Sequence, residues 1–130
     1  MSKLKCYYAH TMLSYGSTIE QQDIETLEKL GFEVLNPNQE WIQKEVQQYI
    51  EENGRDKTMD YFKKLIDSCE VVAFRANPDG HILSGVAYEL QYAANKGKSI
   101  IELPSSMFDR MWDYPKTKQY LIEVGHYKVK

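Results

Sequence analysis

Residues 69–104 read CEVVAFRANPDGHILSGVAYELQYAANKGKSIIELP, and their pattern decides the fold. A β-branched and aromatic run, Val71, Val72, Ala73 and Phe74, breaks into a polar loop holding Arg75, Asn77, Pro78, Asp79 and Gly80. A helical pattern then runs from Ser84 to Asn95, Gly97 and Lys98 stop it, and a second apolar run fills residues 99–103. Strand, loop, helix and strand, with turn residues at each joint, make a βαβ unit. Its strands lie parallel and its crossover is right-handed, so the loop falls at the carboxyl edge of the sheet, where open α/β sheets bind ligands. The expected site takes in residues 75–84 and the start of the helix.

One residue of that helix stands apart. At about 100° per residue, Val86, Leu90, Ala93 and Ala94 make an apolar face, and Glu89 falls at its border. Its neighbours three and four positions away are Val86, Tyr92, Gly85 and Ala93, so no lysine or arginine of this helix pairs with it. Such a carboxylate near a helix N-terminus is expected to be held ionised by the dipole yet partly desolvated, which suits a nucleophile or general base. The commoner fate of a helix glutamate is plain solvation.

A chain of 130 residues is read as one domain, residues 1–130, with a single core. With 42% hydrophobic and 27% charged residues it has the composition of an ordinary globular chain. Sixteen basic against nineteen acidic residues leave a net charge of −3, which gives no footprint for a nucleic-acid polymer or an anionic membrane. Cys6 and Cys69 sit in or beside apolar runs without a CxxC, and are expected to be reduced, buried and cytoplasmic. His10, His81 and His126 lack metal-ligand spacing, and neither a signal-peptide core nor a membrane-length apolar run is expected.

Taken in order, residues 4–9 (LKCYYA) form the first strand, followed by a hydroxyl-rich loop with Ser14 and Gly16. A capping box, Ser17-x-x-Glu20, opens a helix that closes at Gly31. Phe32 to Leu35 form the second strand, ended by Asn36-Pro37-Asn38. Two helices follow, one through Trp41, Ile42, Val46, Tyr49 and Ile50 to Asn53-Gly54, one through Met59, Phe62, Leu65, Ile66 and Cys69. The later must pack on the sheet; the earlier is surplus and is expected to overhang the site. Residues 107–114 are rich in Met and aromatic side chains, expected over the sheet end or in a subunit contact, and residues 117–124 form a last helix.

Three stretches resemble the nucleoside 2-deoxyribosyltransferases and the related deoxynucleoside-monophosphate N-glycosidases. They are Tyr7-Tyr8-Ala9 ending the first strand, Val71 to Phe74, and Ser84-Gly85-Val86-Ala87-Tyr88-Glu89-Leu90 before Gly97-Lys98. The last is close to the Gly-x-(Ala/Gly)-(Tyr/Phe)-Glu signature of that family. The resemblance implies a three-layer Rossmann-like (flavodoxin-like) α/β domain, with a parallel sheet of about five strands and helices on both faces. It implies a homo-oligomer, dimer or higher, with no metal and no cofactor. Glu89 matches the nucleophilic glutamate that attacks the anomeric carbon of a deoxyribosyl group, and Tyr7 the tyrosine that orients it. His10 and Leu83 depart from the family pattern, Phe62 stands near the place of its second carboxylate with Asp60 about two residues off, and Asp79 is expected to supply an acid from the loop instead.

The expected function is cleavage or transfer at the N-glycosidic bond of a nucleoside or nucleoside monophosphate. Glu89 and Tyr7 form the machinery. Arg75, Ser14, Gly16, Ser84 and Gly85 are expected to hold phosphate or sugar hydroxyls, and Asn36, His10 and Asp79 to contact base or sugar. Arg75 as a structural ion-pair partner is the competing reading of that residue. The alternative function is a non-catalytic module of the same fold that binds, senses or sequesters a nucleotide-like molecule.

Overall fold

The computed structural model describes residues 3–103 and 111–126. Among them four strands, β1 (Lys5–Ala9), β2 (Glu33–Leu35), β3 (Val71–Phe74) and β4 (Ser99–Glu102), form one sheet in the order β2-β1-β3-β4. Every pairing is parallel, with Tyr7 opposite Leu35 on one side and Val72 on the other. The helices are α1 (Thr18–Lys29), α2 (Glu40–Asn53), α3 (Thr58–Asp67), α4 (Ser84–Asn95) and α5 (Tyr114–Glu123), with single 3-10 turns at Met12–Ser14 and Arg55–Lys57. The sheet has four described strands where about five were expected. The fifth rested on the resemblance alone, since the sequence beyond Glu102 offers no further β-branched run of strand length.

The pleat sorts the side chains. Tyr7, Ala9, Val72 and Phe74 face α3 and α4, where they pack with Ile66, Cys69, Val86 and Ala93. Cys6, Tyr8, Val71 and Ala73 face the other way, onto Leu27 of α1. Helices therefore cover both faces, and fully buried side chains such as Ile66 and Leu27 each stabilise by roughly 1.5–3 kcal/mol. Both cysteines are buried and unpaired. Burial pushes the Cys6 thiol up to about 12.

From β1 the chain turns one way to β2, then crosses back over β1 to reach β3. The segments leaving the carboxyl ends of β1 and β3 therefore diverge, which opens a crevice between them. The surplus helix α2 does not overhang it. It packs on the outside of α3, where the Tyr61 hydroxyl donates to Glu45 at 2.6 Å. Gly54 ends α2 at φ +98°, a conformation no side chain adopts without strain, and a Cβ there would sit 2.8 Å from Asp56 Oδ1.

Strand β4 is the exposed edge, with Ser99, Ile100 and Glu102 open to solvent. Helix α5 begins three residues before the expected position, because Asp113 caps it by accepting from the Lys116 N–H at 2.9 Å and Pro115 occupies its first turn. Met111, Trp112 and Tyr114 stand exposed rather than over the sheet end, and Trp112 packs edge-on to Tyr120 with ring centroids 5.4 Å apart. The remaining residues of that Met and aromatic segment, Met107 and Phe108, lie outside the described residues.

Candidate active site

Glu89 is buried, 9% exposed, on the second turn of α4 where the helix faces β1. Its neighbour across the interface is Tyr7, 1% exposed, the last inward-pointing bulky residue before the carboxyl end of β1. Burial raises the Glu89 carboxyl to about 7, with the Tyr7 hydroxyl working in the opposite direction. The expectation that the dipole would hold this carboxylate ionised is thus corrected. The dipole acts mainly in the first turn, and desolvation wins one turn further in. Burial, followed by the charge of Glu89, in turn drives Tyr7 well above the usual range of a phenol. Among the described residues, oxygen Oε2 of Glu89 is buried without a hydrogen-bond partner.

That carboxyl lines a cleft of about 380 Å³ at the carboxyl edge of the sheet. Thr11, Met12 and Tyr15 from the loop after β1 form one wall, and Pro37 after β2 continues it. Thr58, Met59 and Phe62 of α3 form the second wall, and Leu83, Gly85 and Val86 at the start of α4 close the third. A Cβ on Gly85 would meet nothing within 4 Å, so the helix start opens onto free space. Leu83 precedes α4 without a side-chain cap bond.

Tyr15 is the contributor the sequence reading passed over. Its hydroxyl is pushed up to about 12 by burial first and then by the charges of Glu89 and Glu20, so a second phenol flanks the carboxyl. Phe62 enters the cleft wall, while Asp60 pairs with Lys63 at 3.8 Å and does not line it. The signal for α3 as a wall was available in its strong amphipathic pattern, but which face met the cleft depended on the packing of three elements.

His10 lines the cleft but is locked. Its ring stacks on Tyr8 at 3.9 Å, Nδ1 lies 3.1 Å from the Tyr8 carbonyl, and Nε2 lies 2.7 Å from Glu20 Oε2. Both ring nitrogens are therefore engaged by protein atoms, with donor and acceptor roles set by the tautomer, and neither is left for a ligand. Glu20 also accepts from the Gly16 N–H at 3.2 Å and from Asn38 Nδ2 at 3.2 Å. Burial alone would raise Glu20, yet these hydrogen bonds, led by that of His10, hold it below the ordinary carboxylate value. The capping box is therefore half present. Ser17 accepts from the Glu20 N–H at 3.1 Å, but the glutamate is spent on His10, Gly16 and Asn38 instead of the Ser17 N–H.

Several expected ligand contacts are placed elsewhere. Arg75 gives Nε and Nη2 to the two oxygens of Asp23, each at 2.6 Å, and that carboxylate also accepts from the Tyr8 hydroxyl at 2.5 Å. It is a structural ion pair and does not line the cleft, a correction to its expected phosphate role. Ser14 donates to the Thr11 carbonyl at 2.9 Å, and the side-chain Oδ1 of Asn36 accepts from the Asn38 N–H at 3.0 Å, so both shape turns. Asp79 accepts from the His81 N–H at 2.9 Å on an exposed loop and supplies no acid to the cleft. Ser84 stands exposed at the start of α4, beside the lining but not in it. Of the ten residues expected at the site, Glu89, Tyr7, His10 and Gly85 line the cleft.

Among the described residues no group of three or more His, Cys, Asp or Glu could hold a metal ion, and no helix is long and apolar enough to cross a membrane. No protein-family model matches the chain, and no curated protein matches it. The fold and cleft thus define an α/β domain with a buried carboxyl at the switch point of a parallel sheet, flanked by two phenols.

Proposed function

We propose that this chain is an N-glycosidase or nucleoside deoxyribosyltransferase that works through Glu89. The observation that carries the reading is the buried, unpartnered Oε2 of Glu89 facing a cleft beside Tyr7. A carboxyl deprived of water and hydrogen bonds is destabilised unless something else meets it. A sugar carbon acquiring positive charge is such a partner.

In this reading an oxygen of Glu89 attacks the anomeric carbon while the bond to the ring nitrogen breaks. The transition state resembles an oxocarbenium ion, which a fixed carboxylate stabilises by its charge. Tyr7 positions the carboxyl and lowers its pKa. Water, or a second base, then releases the sugar. The finer fold assignment, a Rossmann-like (flavodoxin-like) domain, belongs to the same proposal, as do a cytoplasmic setting, a homo-oligomeric state and action without a cofactor.

A second reading keeps the cleft and drops the turnover. It is favoured by His10, whose ring nitrogens are both engaged, and by the placement of Asp79 and Asp60 outside the cleft. The test is chromatographic detection of free base from purified protein with deoxynucleosides and their 5′-monophosphates. Base release is the expected result. Absence of release from every compound, with one of them raising Tm, would instead assign the binding module.

A further inference from the structure

The chemistry of the cleft limits what can leave. A neutral base departs as an anion unless something gives its ring a proton, and that something is usually a second carboxylic acid. Among the described residues Glu89 is the one carboxylate lining the cleft, and it is already committed as nucleophile. His10 spends both ring nitrogens on the Tyr8 carbonyl and Glu20. The Tyr7 and Tyr15 hydroxyls are held above their ordinary range by burial, which makes them poor proton donors.

The walls carry a second message. No lysine or arginine lines the cleft among the described residues, and Arg75 is taken by Asp23. Besides Glu89, the lining includes the aromatic residues Tyr7, Tyr15 and Phe62 and the thioether residues Met12 and Met59. Aromatic faces, polarisable sulfur and a carboxyl that is negative once ionised attract a flat cation.

Resting on the glycosidase reading, we propose that the preferred substrate is an N-glycoside whose leaving ring carries a formal positive charge, as a pyridinium or N-alkylated purine ring does. The step then balances without a proton donor. Glu89 forms its bond to the anomeric carbon, the carbon–nitrogen bond breaks, and its electron pair neutralises the ring. In the second half, water oxygen bonds to the same carbon, the carboxylate recovers its electrons, and the proton from water passes to solvent.

The test compares the 2-deoxyriboside of nicotinamide, whose ring is a pyridinium, with deoxyuridine and deoxyadenosine. Each rate is divided by the uncatalysed rate of the same compound, because the pyridinium bond is weaker from the start. An acceleration at least about a hundredfold larger for the cationic substrate is expected, a gap of about 2.7 kcal/mol in barrier. Equal or greater acceleration of the neutral nucleosides would overturn the inference and leave the glycosidase reading standing. Binding of N-methylnicotinamide against nicotinamide, at pH 8, gives an independent readout. The methylated cation is expected to bind at least about tenfold tighter, with the preference lost in Glu89→Gln; equal binding would overturn the inference. If none of the glycosides is cleaved, the glycosidase reading falls, and the two nicotinamides still decide whether the cleft recognises a cation.

Discussion

Glu89→Gln is expected to lower base release by roughly 10³-fold or more, the loss of about 4 kcal/mol of transition-state stabilisation. Glutamine keeps the shape and removes both the charge and the nucleophilic oxygen, so the variant should remain folded. It should in fact be the more stable protein above neutrality. The Glu89 carboxyl is raised from 4.5 to about 7 in the folded chain, so the folded state holds this proton more tightly than the unfolded one. Raising the pH through that window therefore removes stability from the wild type, up to about 3 kcal/mol once both states are ionised. The variant does not titrate there. Thermal melts at pH 4.5 and pH 8 should show the Tm advantage of Glu89→Gln growing with pH, while activity of the wild type rises over the same interval as the carboxylate forms. A variant that retains turnover, or that melts below the wild type at pH 8, would contradict the assignment of Glu89 as a desolvated nucleophile.

The second large effect lies on the opposite face of the sheet. Asp23 is 3% exposed and carries three short contacts, two to the Arg75 guanidinium and one to the Tyr8 hydroxyl. Asp23→Asn removes the charge and turns an amide N–H₂ towards either the guanidinium or the phenol, both of which donate. Breaking a buried ion pair by changing one partner costs about 3–5 kcal/mol. The Arg75 side chain keeps 19% exposure, so the lower end, about 3 kcal/mol, is expected. For a domain of this size that is a fall in Tm of roughly 10 °C. Added salt should change the wild-type Tm little, because the pair is shielded from solvent. Activity measured well below the melt should persist, since Asp23 and Arg75 do not line the cleft. An unchanged Tm would show that Arg75 is free to serve another partner.

These two sites also mark how far the sequence could be read. Strands and helices were legible because their signals are local. Val71 to Phe74 is a β-branched run, Ser17 caps α1, Gly54 stops α2, and Ser84 to Asn95 keeps one apolar face. Glu89 was legible for the same reason: the helical period set it at the border of that face, and the fold turned the border inward. Tyr7 and Tyr8 are adjacent in sequence, yet the pleat sends one phenol to Glu89 and the other to Asp23. For Arg75 the competing reading, a structural ion pair, is the one the fold supports, and no local pattern names its partner because Asp23 lies 52 residues earlier on α1. His10 and Glu20 failed similarly, since a capping-box glutamate gives no local sign that a histidine ten residues before it will claim its carboxylate. Tyr15, Met59 and Phe62 became visible as cleft walls only when α3 and the loop after β1 met across the sheet edge.

The covalent intermediate is the most direct reading of the central claim. A 2-deoxy-2-fluoroarabinosyl N-glycoside should react with Glu89 and then stall, because the fluorine disfavours the second oxocarbenium-like step. Intact-protein mass spectrometry is expected to show one added fluoropentosyl group, and peptide mapping should place it on Glu89. Release of the base without any added mass, or an adduct on a different side chain, would contradict the account.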